Sequence, residues 1–119
     1  MTAPNVVNVS TINGKTAVQN VSTTATDIVN NASSSNSLYK VNSLVISNIN
    51  GTTTANVTAS VFRSSIEYKI AHTISVPGGA TLVVVSKDTG FYLEEGDGLR
   101  LTASSNSYLQ AVCSYEIIS

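Results

Sequence analysis

An alternation of apolar and polar residues with a period of two is the feature that most constrains this chain. It is clearest over residues 54–62, where alanine and valine alternate with threonine, asparagine and serine. Successive side chains of a strand point to opposite faces, so this pattern predicts a strand with one apolar and one wet face. No window of 11 or more residues combines helical apolar spacing with helix caps. We therefore predict an all-β fold.

Turn residues divide the chain into short segments. Breaks rich in Gly, Pro, Asn, Asp and Ser occur at 50–51, 77–79, 87–90, 94–98 and 104–106. About eight or nine short strands at this spacing predict an antiparallel β-sandwich or a jelly-roll-like fold. The spacing leaves a jelly roll and an immunoglobulin-like sandwich as open alternatives.

Two of these strand segments carry more specific predictions. If Asn50 and Gly51 form a two-residue turn, Ile46 lies opposite Ala55 in a hairpin, and Leu44 lies opposite Val57. Residues 81–85 are apolar at nearly every position, which is typical of a strand in the centre of a sheet.

The first part of the chain differs in character from the rest. Residues 1–37 have few large side chains, and Asn13-Gly14 between two polar strand-like segments predicts a hairpin. We predict an N-terminal arm or edge hairpin over residues 1–37 and a sandwich core over 38–119. Polar edge strands can pair with a neighbouring subunit, so the apolar residues of this arm are our interface candidates: Val6, Val7, Val9, Ile12, Val18 and Val21.

Composition excludes several classes of protein. The 119 residues suit one domain, and 6 basic against 7 acidic residues provide no positive field for nucleic acid. No apolar run approaches the ~20 residues of a membrane span. The first residues lack the charged and apolar regions of a secretion signal, so we expect synthesis in a cytoplasm without export.

Catalytic and metal chemistry has little support in the sequence. His72 and Cys113 are the single members of their types, so a Cys-His nucleophile pair is arithmetically possible. The alternation predicts instead that each packs on a strand face. One His and one Cys cannot supply a usual zinc site. We therefore expect neither enzymatic activity nor a cofactor.

A cluster of acidic residues follows the central strands. Asp88, Glu94, Glu95 and Asp97 are weak candidates for Ca²⁺, which binds six to eight oxygen atoms. The alternative, which we favour because EF-hand spacing is absent, is a tight turn in which Asp97 binds backbone amides. A carbohydrate- or Ca²⁺-dependent binding module is therefore our alternative hypothesis for the function.

Three segments of the second part, 39–48, 74–85 and 92–103, are similar to small β-rich virion proteins of tailed bacteriophages, especially those of marine and cyanobacterial phages. The resemblance covers about residues 38–118 and consists of strand and turn patterns. It implies a non-enzymatic virion protein, foremost for capsid decoration, with a neck, collar, tail or fibre-base component as alternative. It also implies that the partners are copies of the chain and other virion proteins.

The residue content agrees with such a role. Ser, Thr and Asn together make 44 of the 119 residues. Their side chains form hydrogen bonds across an interface without the desolvation cost of buried charges. We therefore expect the polar faces of the strands to take part in permanent assembly, without nucleic acid or membrane.

Overall fold

Two antiparallel β-sheets packed face to face make up the protein. The structure is a computed structural model that describes residues 11–119. Among these residues it has nine strands and one short 3₁₀ turn, so the predicted all-β class and strand number are confirmed. The strands are β1 (Ile12–Val21), β2 (Thr26–Asn30), β3 (Leu38–Asn48), β4 (Ala55–Arg63), β5 (Ile66–Val76), β6 (Thr81–Val85), β7 (Phe91–Leu93), β8 (Gly98–Ala103) and β9 (Leu109–Ile118); the 3₁₀ turn (Lys87–Thr89) lies between β6 and β7.

The strand order identifies the topology. Sheet 1 has the order β1-β9-β3-β6, with β7 also paired to β3, and sheet 2 has the order β2-β8-β4-β5. Each sheet thus places a pair of strands from the two ends of the chain beside a pair of strands from its middle. This is the order of a jelly roll, in which eight strands form two four-stranded sheets. The jelly roll therefore replaces the immunoglobulin-like alternative.

The core lies between the sheets and follows from the alternation. Leu44 and Ile46 of β3 point inward and are completely buried, as are Leu99 and Leu101 of β8. Three of them pair with a small inward residue on a neighbouring strand: Leu44 with Cys113, Ile46 with Ala111 and Leu101 with Ala59. Large side chains of one strand thus pack beside small ones of the next, which fills the space between two twisted sheets.

The predicted hairpin around Asn50-Gly51 is wrong, because β3 and β4 belong to different sheets. Ile46 and Ala55 are both buried but face the core from opposite sheets. The buried Asn48 side chain donates hydrogen bonds of 2.8 Å to the carbonyl oxygens of Thr53 and Val76. These bonds hold the connection as a corner that transfers the chain from one sheet to the other.

The predicted hairpin at Asn13-Gly14 is also wrong. Strand β1 runs straight through both residues and pairs with β9 over ten consecutive positions, from Ile12 opposite Ile118 to Val21 opposite Leu109. Pairing with a sequence-distant strand satisfies the backbone groups that a local hairpin would have used. Both described strands of the predicted arm, β1 and β2, lie at sheet edges and contribute Val21 and Val29 to the common core.

Residues 81–85 do not form a central strand. Strand β6 pairs with β3 on one side and lies at the end of the order of sheet 1. Val83 points away from the core and is 58% exposed, whereas Val85 is buried. The apolar character of both faces of β6 therefore has two separate causes, a core face and an exposed apolar outer face.

We predict that Leu101→Ala lowers the free energy of unfolding by about 2 to 5 kcal/mol, because it leaves a cavity in a completely buried site. The matched control is Ile49→Ala at an exposed position, for which we expect a change within about 0.5 kcal/mol. Equilibrium urea unfolding followed by circular dichroism measures both. Equal effects of the two substitutions would contradict the placement of Leu101 in the core.

Candidate interaction surfaces

The two residues of the conceivable nucleophile pair lie in different environments. Cys113 is completely buried in the centre of sheet 1, and this burial raises the pKa of its thiol to about 11. His72 lies in β5 of sheet 2 and is exposed, so the prediction that it packs on a strand face is wrong. The reason is an irregularity in the pairing of β4 with β5, where Thr73 adopts a positive φ of 51° and interrupts the alternation.

Asp97 is built into the protein structure. Its side chain is buried, and its oxygens accept hydrogen bonds of 2.8 Å from Nε of Arg63 and from the backbone N–H of Glu94. Arg63 also donates to Glu94 at 3.0 Å. Hydrogen bonding to Asp97 is the main cause that raises the pKa of the Arg63 guanidinium above its usual range. This ion pair joins the end of β4 to the turn before β8.

The other two acidic candidates lie apart from this pair. Glu95 accepts a hydrogen bond of 3.0 Å from the backbone N–H of Asn36, and Asp88 is exposed in the 3₁₀ turn. Within residues 11–119, no three His, Cys, Asp or Glu side chains form a group that could hold a metal ion. The carboxylates of the acidic turn thus bind protein donors, and Arg63 is the partner that sequence reasoning missed, since it lies 34 residues away from Asp97.

An apolar edge is the first exposed surface. Strand β5 lies at the edge of sheet 2, and Ile66, Tyr68, Ile70 and Ile74 on this one strand are each at least 39% exposed. A cavity of about 420 Å³ adjoins β5 and β7 and has a mostly apolar lining of Val61, Arg63, Tyr68, Ile70, Phe91 and Tyr92. Long apolar edge strands are sites at which other chains pair. We refer to this surface as the β5 edge.

A row of four valines crosses the outer face of sheet 1. Val18 of β1 pairs with Val112 of β9, Val112 pairs with Val45 of β3, and Val45 pairs with Val83 of β6. Val18 is 74% exposed and Val112 is 46% exposed. We call these four side chains the valine row. It runs across β1, β9, β3 and β6, perpendicular to the strands. We call each such row of laterally paired residues a level.

The interface candidates predicted from the sequence have different locations in the structure. Val18 lies in the valine row, and Ile12 is exposed on the same strand six residues earlier. Val21 is buried in the core, so it is not a surface residue. The reason is the strand period, since positions three residues apart point to opposite faces. Val6, Val7 and Val9 lie outside the described residues.

Uncharged polar side chains flank the valine row. On one side are Thr16, Ser114 and Ser43, and on the other are Asn20, Gln110, Ser47 and Thr81, each set paired across neighbouring strands. One level further along, Glu116 pairs with Lys40. The face is thus an apolar stripe between polar neutral rows, with one carboxylate and one cation near its end.

The outer face of sheet 2 is different because it is charged. Nε of Arg100 donates to Asp27 at 3.0 Å, and the guanidinium lies 3.6 Å from the centre of the Phe62 ring. Glu67 accepts hydrogen bonds from Lys69 and Ser60, and Lys69 is the main cause that lowers the pKa of Glu67. Charged networks of this kind are typical of surfaces that stay in water. The two outer faces therefore have distinct chemistry.

The fold is similar to two solved structures from assemblies. A chain of the disulfide-linked pili that form Bacillus endospore appendages matches 92% of this chain and 87% of its own length, with a TM-score of 0.54 and 16% identity. A chain from the acidic stable capsid structure of Helicobacter pylori bacteriophage KHP30 matches 94% of this chain and 90% of its own length, with a TM-score of 0.53 and 6% identity. These similarities show a shared fold.

Sequence comparison gives no assignment. No model of a protein family matches the chain, and no curated protein matches it. No helix among the described residues has the length and apolarity required to cross a membrane.

We predict that Cys113 reacts with a thiol reagent at pH 8 at least about 100-fold more slowly in the folded protein than in guanidinium. A pKa near 11 leaves about a hundredth of the thiolate that an ordinary thiol has at this pH, and burial blocks access. Absorbance of the released thiol product measures the rate. Rapid reaction of the folded protein would instead identify an activated cysteine.

We predict that Asp97→Ala destabilises the fold by about 2 kcal/mol, because the Glu94 amide and Arg63 lose their common acceptor. Asp88→Ala removes an exposed carboxylate from the same region and should change stability by less than about 0.5 kcal/mol. Thermal melts with and without Ca²⁺ compare the variants. Stabilisation of the natural chain by Ca²⁺ that Asp97→Ala abolishes would restore the calcium hypothesis.

Proposed function

We propose that this chain is a non-enzymatic structural subunit of the virion of a tailed bacteriophage, and specifically a capsid decoration protein that contacts both copies of itself and the shell. The observation that carries the proposal is the β5 edge, an apolar edge strand and adjoining cavity left open by a complete jelly roll. Apolar patches of this kind on small domains mark sites of protein interaction. The capsid and pilus assemblies with similar folds support the structural role.

The chemistry of the β5 edge fits a protein partner. Arg63 lines the cavity together with the aromatic residues Tyr68, Phe91 and Tyr92, and aromatic residues with arginine are the types enriched at binding hot spots. Arg63 is fixed by Asp97, so its position is set before a partner arrives. A segment of a partner that adds a strand to β5 would place alternate side chains in this cavity.

A neck, collar, tail or fibre-base component is the alternative within the same class, since an apolar edge strand would serve assembly at those places as well. A calcium-dependent binding module has less support, because Asp97, Glu94 and Glu95 are already bound by protein donors. The disulfide linkage in the pili with a similar fold has no ready counterpart at Cys113, which is completely buried. We therefore expect assembly of this chain through noncovalent contacts.

Location in the particle tests the proposal directly. We expect gold-labelled antibody against the chain to mark the shell of phage particles in electron micrographs, at many sites around each head. Labelling confined to the neck or tail would favour the alternative. Particles without label, together with absence of the chain from purified virions by mass spectrometry, would contradict a virion role.

A matched pair of variants tests the β5 edge. Ile66→Asp with Ile70→Asp places two charges on exposed positions of β5, so we expect normal folding but at least tenfold weaker binding to particles stripped of the chain. Ile49→Asp makes one such substitution at an exposed site outside this strand and should bind normally. Cosedimentation with the particles measures binding. Equal binding of all variants would exclude the β5 edge as the contact surface.

A further inference from the structure

We propose that the outer face of sheet 1 is a second interface, at which two copies of this chain pack face to face around a two-fold axis. The inference deepens the proposed structural function, because it names the partner and the register of a contact separate from the β5 edge. It rests on the valine row, on the neutral rows beside it and on the placement of Glu116 and Lys40.

A second copy is the occupant that the face fits best. A two-fold axis parallel to the strands and midway between β9 and β3 exchanges these two central strands, and it exchanges β1 with β6. Val112 then faces Val45 of the second copy, and Val18 faces Val83. The neutral row of Thr16, Ser114 and Ser43 likewise meets neutral residues of its own level. The contact is isologous, as is usual for pairs of identical subunits.

The level that contains charged residues makes this face complementary to the same face of a second copy. Glu116 of β9 and Lys40 of β3 are paired neighbours on this face. The same axis places Glu116 opposite Lys40 of the second copy, and it repeats this contact by symmetry. Lys87 borders this level together with Asn42 and Ser43, so the surroundings of the carboxylate are cationic. A copy of the chain thus meets opposite charges at the one level where charge occurs.

The size of the face sets the expected strength. Four strands about 4.8 Å apart and four levels about 6.8 Å apart cover roughly 500 Å², so two copies bury about 1,000 Å². This is below the roughly 1,600 Å² of a standard stable interface. We therefore expect a weak dimer in solution that forms at high concentration and becomes persistent when other contacts hold the copies together.

Sedimentation equilibrium of the full chain at about 10 μM to 1 mM tests the dimer. We expect Val112→Asp to weaken dimerisation at least tenfold, since it places a charge at the centre of the apolar row. Thr102→Asp adds the same charge on the outer face of sheet 2, where Thr102 lies between the buried Leu101 and Ala103, and should leave dimerisation unchanged. Circular dichroism confirms that both variants fold. Unchanged dimerisation of Val112→Asp would overturn the proposal.

A mixing experiment tests the register. Lys40→Glu and Glu116→Lys each create like charges across the axis, so each variant alone should dimerise at least threefold more weakly than the natural chain. An equimolar mixture restores opposite charges at both contacts and should dimerise as the natural chain does. Mixing leaves the residues within each chain unchanged, so recovery reports contacts between copies.

The control separates this register from attraction by net charge. Lys69→Glu and Glu95→Lys produce the same net charges at sites away from the face, and their mixture should show no such gain. Gain in this control, or no recovery in the first mixture, would overturn the proposed register. Particle binding that survives in Val112→Asp would leave the proposed function standing while the dimer fails, so the two results are distinguishable.

Discussion

The pairing of β1 with β9 is the interaction on which the rest of the structure depends. These are the first and last strands of the described chain, and their ten-position register brings Thr11 next to Ser119, whose backbone groups exchange two hydrogen bonds of 2.9 Å. Strand β9 then serves as the template for β3 on its other side. Without β9, nothing would join β1 to β3, and the outer face of sheet 1 would not be continuous. Because the contact spans almost the whole chain, the loop-closure cost is large and folding of such topologies is slow.

Sequence reasoning predicted the features that depend on local alternation. The inward positions Ala55, Val57 and Ala59 have the period of a half-buried strand, and their burial follows from it. The partners of each strand were not predictable in this way. Asn50-Gly51 has the chemistry of a tight hairpin turn, yet the buried amide of Asn48 binds Val76 and directs the chain to the other sheet. A hydrogen bond across 28 residues leaves no local signal.

The interaction surfaces were partly predictable for the same reason. Val18 and Val21 were equal candidates by composition, although strand parity alone separates them into an exposed and a buried residue. The apolar outer position of Val83 was also present in the sequence, as an apolar residue on the wrong face for the core. That Val83 belongs to a row of valines could not be predicted from the sequence, because only the strand order of the sheet aligns it with Val45, Val112 and Val18. Likewise, the role of Asp97 became apparent when the fold brought Arg63 to it.

The contrast between the two outer faces gives the valine row its physical significance. The core between the two sheets is filled by inward side chains alone. The outward valines therefore add nothing to core packing, and they expose apolar surface to water. The outer face of sheet 2 has the charged chemistry of a surface exposed to water, since Arg100 pairs with Asp27 there and Lys69 pairs with Glu67. On sheet 1 the chain has β-branched side chains at the corresponding central positions, flanked by side chains that form hydrogen bonds without carrying charge. Burying such a face costs less desolvation energy than burying charges, as long as its hydroxyl and amide groups form hydrogen bonds. In the proposed dimer these valines leave water on association, so the stability of each subunit would be coupled to that of its assembly.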